Sequence, residues 1–132
     1  MYEFHGWIRL ADSPSEIDEG QLDEKCERLK SFLSSISWSS GRVELLLTNG
    51  VYTLILHAVP NRRRSEAQDL VSIINKVISE FKGAYGVIYE YDELTNTEYG
   101  RGVFSVKVIK RGRCELALDP FLSPLAPAAQ DL

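Results

Sequence analysis

The fold turns on Val43-Glu44-Leu45-Leu46-Leu47-Thr48-Asn49-Gly50-Val51-Tyr52-Thr53-Leu54-Ile55-Leu56-His57-Ala58. Two apolar runs flank Asn-Gly, a dipeptide that tolerates positive φ at both centres of a two-residue hairpin turn. Such a short loop leaves one register, with Leu47 facing Tyr52, Leu45 facing Leu54 and Val43 facing Leu56. Those six side chains form the expected core face. Glu44, Leu46, Thr48, Val51, Thr53 and Ile55 form a mixed opposite face.

Working outward, a helical pattern flanks the hairpin on each side. Leu22, Cys26, Leu29, Leu33 and Ile36 recur at steps of three and four, with Asp18-Glu19-Gly20-Gln21 spaced as a capping box before them. Ala67, Leu70, Val71, Ile74, Val77, Ile78 and Phe81 make a second amphipathic stripe, opened by Ser65-Glu66-Ala67-Gln68 and followed by Lys82-Gly83 as a C-terminal cap. Residues 2–10 alternate, with Phe4, Gly6, Ile8 and Leu10 on one side and Glu3, His5, Trp7 and Arg9 on the other. Residues 84–92 are rich in Tyr and β-branched residues and read as a fourth strand, followed by a polar loop over 93–101. Residues 102–110 and 113–118 read as two more strands around Arg111-Gly112. Pro120, Pro124 and Pro127 make 118–132 an irregular Pro-rich tail.

The order is β-α-β-β-α-β. It predicts an α+β fold, a ferredoxin-like antiparallel sheet with both helices on one face, plus one or two extra C-terminal strands and the tail. A chain of 132 residues fits one domain spanning 1–132. No apolar run reaches the length a membrane span needs, and the N-terminus lacks a secretory signal, so a cytoplasmic location is expected. In that setting Cys26 and Cys114 are expected to be two buried, inert thiols.

The formal net charge of −4 disfavours long-range attraction to nucleic acid. The charge is unevenly spread: residues 12–28 hold seven acids against two bases, and 101–113 hold five bases and no acid. Solvated faces account for such runs; so does steering of a charged partner. Neither His5 nor His57 sits in a hydrolytic motif, and zinc-ligand spacings are missing, so no enzyme, cofactor or metal is expected. Arg62-Arg63-Arg64 precedes a helix and reads as solvated loop or as a weak anion site.

Two surface features remain. Tyr85, Val87, Tyr89 and Tyr91 share one side of their strand. If that side is the one carrying His5 and Trp7, aromatic rings band the sheet. Such a band suits single-stranded RNA or a small molecule, or lies under the chain's own tail with Phe121 and Leu122 across it. The acids Glu90, Asp92, Glu93 and Glu98, flanked by Tyr89 and Tyr91, suit contact with a basic cleft, or else form an ordinary polar loop.

Phe4-His5-Gly6-Trp7, the block Tyr85-Gly86-Val87-Ile88-Tyr89-Glu90-Tyr91-Asp92-Glu93, Arg111-Gly112, and Asp119-Pro120-Phe121-Leu122-Ser123-Pro124 occur in that order. In these blocks the chain resembles the immunity protein 7 family of bacterial polymorphic toxin and contact-dependent inhibition systems. The resemblance implies a non-catalytic protein that neutralises a cognate toxin C-terminal domain, such as a nuclease, by direct binding in the cytoplasm. Phe4, Trp7, Asp119 and Phe121 are then expected to pack the fold and anchor the tail. Tyr89, Glu90, Tyr91, Asp92, Glu93 and Glu98 are the expected partner-binding residues. A ligand module binding single-stranded RNA or a small molecule is the alternative.

Overall fold

The computed structural model describes residues 1–13, 20–61, 63–94, 96–97, 100–101 and 103–122. The elements are β1 (Tyr2–Arg9), α1 (Leu22–Leu33), β2 (Gly41–Thr48), β3 (Val51–Ala58), α2 (Ser65–Glu80), β4 (Tyr85–Asp92), the two-residue strands β5 (Asn96–Thr97) and β6 (Gly100–Arg101), β7 (Phe104–Lys110) and β8 (Arg113–Leu118). Six strands form one antiparallel sheet in the order β2-β3-β1-β4-β7-β8, and β5 pairs with β6 inside the stretch expected as a polar loop over 93–101.

The β2–β3 register matches the Asn-Gly expectation at each pair: Leu47 opposite Tyr52, Leu45 opposite Leu54, Val43 opposite Leu56. Asn49 and Gly50 both take positive φ, 52° and 78°. Arg111 and Gly112 repeat that geometry at the β7–β8 turn.

Cross-strand pairs point to the same side of a sheet, so the registers sort every residue onto one of two faces. The core face carries Tyr2, Phe4 and Ile8 of β1, Leu54, Leu56 and Ala58 of β3, Ile88 of β4 and Ile109 of β7, all buried. Cys26, Leu29 and Leu33 of α1 and Ala67, Leu70, Ile73, Ile74 and Val77 of α2 join them in one cluster. Both helices therefore contribute to the core built on that face. Phe4 is fully buried, with its ring edge-on to Trp38 at 5.3 Å between centroids.

Several expectations need correction. Helix α1 begins at Leu22 behind Gln21, which makes no side-chain cap bond; Asp18 and Glu19 of the expected capping box lie outside the described residues. The helix stops at Leu33, before Ile36, because the Ser34 and Ser35 hydroxyls donate to the carbonyls of Ser31 and Phe32 and the Ile36 amide turns back to Leu33. Ile36 still packs against the core. At α2 the second capping box does not form: Arg64 is the N-cap, and the Ser65 hydroxyl donates to Glu66 at 2.8 Å instead of capping the helix. Gly83 is not a left-handed cap. It is needed because a Cβ there would lie 2.0 Å from the Ser13 carbonyl oxygen. Leu47, assigned to the core, is 60 % exposed, since it sits beside the turn on an edge strand. Cys114, expected to be buried, is exposed on β8, the other edge strand; Cys26 is buried, and both thiols are free. The strand expected over 102–110 runs from Phe104 to Lys110, and Gly102 lies outside the described residues. The Pro-rich tail from Ser123 onward lies outside the described residues.

Candidate interaction surface

The C-terminal half of β4 is where the expected partner-binding residues gather, and alternation divides them. Glu90 and Asp92 are in phase with Ile88 on the core face, whereas Tyr85, Val87, Tyr89 and Tyr91 point to the outer face. The acids and tyrosines that adjoin in sequence thus lie on opposite sides of the sheet.

Glu90 is 8 % exposed. Its Oε1 accepts from Lys107 Nζ at 2.5 Å and its Oε2 from the Tyr2 hydroxyl at 2.5 Å. The Arg63 guanidinium stands 3.8 Å from Oε2 and 5.8 Å over the Tyr2 ring. Burial pushes the Glu90 carboxyl up, but the Lys107 ammonium and the Tyr2 hydroxyl outweigh it and hold the group below the usual carboxylate range. Burial and the neighbouring carboxylate push the Tyr2 hydroxyl well up, so it stays protonated and donates. A cavity of about 340 Å³ opens beside this network, with Val103, Ser105, Leu116 and Leu118 in its wall. Arg63, once a candidate for anion binding, is committed here; Arg62 lies outside the described residues.

At the end of β4 the Asp92 carboxylate accepts the Leu94 amide at 2.9 Å, and Glu93 pairs with the Met1 amine. Glu98 lies outside the described residues. Asp119 is 1 % exposed and accepts the amides of Phe121 and Leu122 at 3.3 and 2.6 Å, closing a turn at the end of β8. Phe121 itself is 67 % exposed.

The outer face carries the aromatic band. Trp7 meets Tyr85 edge-on, 6.2 Å between centroids, and Arg9 donates to the Tyr85 hydroxyl at 3.1 Å. Tyr91 lies against Phe104 at 5.1 Å. Trp7, Ile55, Tyr85 and Leu46 are exposed. Glu3, Glu44 and Glu115 share this face, in register with Tyr91, Ile55 and Val108. Among the described residues, no group of three or more His, Cys, Asp or Glu is placed to hold a metal ion, and no helix is long and apolar enough to cross a membrane. The buried Cys26 thiol is pushed up to about 12 by burial and the nearby Asp23 and Glu27, which leaves it protonated and unreactive.

Reading residues alone missed Tyr2 and Lys107 as partners of Glu90. The usable signal was period-two alternation: Glu90 follows Ile88 by two and so faces inward, where a carboxylate needs a cation and a donor.

These features define a class: a small α+β protein with one sheet face built into a core and the other showing exposed aromatic side chains. The chain belongs to the immunity protein 7 family, whose sequence model matches residues 1–131. Comparisons with curated proteins and with solved structures find no match.

Proposed function

We propose that this protein protects the cell that makes it by binding a cognate toxin domain in the cytoplasm, and that it does so without chemistry of its own. The observation that carries this reading is the family match over residues 1–131. The sheet order β2-β3-β1-β4, with both helices in one core, supports a ferredoxin-like scaffold extended by β7 and β8.

The contact surface in this reading is the outer face around Trp7, Tyr85, Tyr89 and Tyr91, continued by Asp92, Glu93 and the Glu98 loop at the end of β4. Exposed Trp, Tyr and Arg supply rigid contact area and donors of the kind that dominate protein interfaces. Glu90 acts in this surface from behind, by holding Lys107 and Tyr2, since its carboxylate is already paired. The net charge of −4 and the acids of residues 12–28 favour a basic partner, which fits a nuclease toxin. Three glutamates on the outer face weigh against stacking RNA there.

The test is co-expression with the toxin domain encoded beside it, scored for survival and co-purification. The native chain is expected to rescue growth and to stop nucleic-acid cleavage by the purified toxin. Asp92→Lys/Glu93→Lys is expected to weaken binding while the chain stays folded, with only the local loss of the Leu94 and Met1 contacts. Full protection by that folded double variant removes the β4 end from the interface, and failure of the native chain to protect sinks the reading itself.

A further inference from the structure

The two histidines of the chain lie far apart in sequence and meet on the outer face. The β1–β3 register sets His5 directly opposite His57, with ring centroids 4.7 Å apart and Nδ1 to Nδ1 at 2.7 Å. Two facing imidazole nitrogens at that distance share one proton at most, or converge on one cation.

We propose that His5 and His57 form a two-imidazole site for a divalent transition-metal ion of the copper(II) or nickel(II) type. Three observations carry this. The first is the spacing. Two nitrogens bound at about 2.0–2.1 Å and at a right angle to one another stand about 2.8–3.0 Å apart, whereas a tetrahedral ion holds them about 3.3–3.4 Å apart. The observed 2.7 Å is the spacing of an N–H···N hydrogen bond. Loss of that proton and an opening of about 0.1–0.3 Å give the right-angled arrangement that copper(II) and nickel(II) prefer, whereas a tetrahedral ion needs a wider opening.

The second observation is the other ring nitrogen. His5 Nε2 lies 3.4 Å from Glu3 Oε1. A carboxylate at that edge favours the proton on Nε2 and leaves Nδ1 as the free lone pair, the same outer-shell arrangement that orients metal-binding histidines elsewhere. It also places a negative charge on the far edge of the ring that would bind the cation.

The third is accessibility and local charge. His57 is exposed and His5 is partly exposed, with 39 % of its side-chain surface open. Arg42 stands opposite His57 on β2, and its guanidinium donates to Glu44 at 2.9 Å. Tyr89 stands opposite His5 on β4. With two protein nitrogens, water fills the remaining positions, so binding is reversible and open to exchange.

The experiment titrates the full-length protein with copper(II) and reads continuous-wave and pulsed electron paramagnetic resonance. One copper per chain is expected, with two equatorial imidazole nitrogens and the modulation from their remote ring nitrogens. His5→Gln and His57→Gln are each expected to lower affinity at least tenfold, with circular dichroism and melting temperature kept, and Glu3→Gln by a smaller factor. Zinc(II) is expected to compete poorly. A copper spectrum without imidazole nitrogens overturns the proposal, and this reading needs no variant. Undiminished affinity in His5→Gln/His57→Gln also overturns it, by assigning the copper to the Met1 amine or another donor.

Discussion

The two faces of the sheet are made of the same strands and solve opposite problems. On the core face, Phe4, Ile8, Leu54 and Ile88 are fully buried beside the side chains of both helices. Its one acid at mid-sheet, Glu90, has a lysine, a tyrosine and an arginine around it. On the outer face, Trp7, Ile55 and Tyr85 remain exposed, and polar side chains such as Arg9 with Tyr85 and Arg42 with Glu44 pair at the surface. The difference shows that one strand can carry core packing and an exposed surface at adjacent positions, because alternation separates them by direction and not by distance.

That contrast can be broken in measurable steps. Phe4→Ala should cost the most, about 3–5 kcal/mol in denaturant unfolding, by leaving a cavity under both helices. Next, Glu90→Gln should cost about 3 kcal/mol, because Lys107 keeps a charge without its carboxylate. Adding Lys107→Met to that variant should recover much of the loss; if it does not, the network holds more than a charge pair. Trp7→Ala, on the same strand as Phe4, should change stability by about 1 kcal/mol or less, yet lower toxin affinity about tenfold or more. Smallest of all, Leu47→Ser should move stability by less than about 0.5 kcal/mol, despite its place on the core side of the hairpin.

Acid titration sharpens the same comparison. The folded Glu90 carboxyl is held below its unfolded value. Its stabilising contribution is therefore present above the ordinary carboxylate range of about 4 and is lost as pH falls through the folded value below it. A melting-temperature profile should drop more steeply there for the native chain than for Glu90→Gln. Parallel profiles would show that Glu90 is not the group responsible.

Local pattern carried the fold a long way. Asn49-Gly50 determined the hairpin register residue by residue, and helix periodicity found both stripes apart from Val71, which is exposed, and Ile73, which is buried and lies outside the expected stripe. The strand alternation in residues 84–92 was equally readable. What it meant for Glu90 was not, because its partners Tyr2 and Lys107 come from elsewhere in the chain, 88 and 17 positions away. Leu47 and Cys114 were misplaced for a related reason: whether a strand is central or at an edge is decided by the sheet as a whole. The capping serine of α2 was misread because its hydroxyl found a nearer acceptor in Glu66. Of the surface, the aromatic side of β4 was legible, and the meeting of His5 with His57 was not.

The two border strands have a consequence for the protein in concentrated solution. Every open sheet ends in a row of unpaired amides and carbonyls that invites a neighbouring molecule to add its own strand. Here β2 ends the sheet with Arg42 and Glu44, and β8 ends it with Arg113 and Glu115, opposite charges side by side on each margin. An arriving strand would have to strip water from those groups before it could zip on, a cost set against the exposed Leu47 and Leu116 on the same two margins.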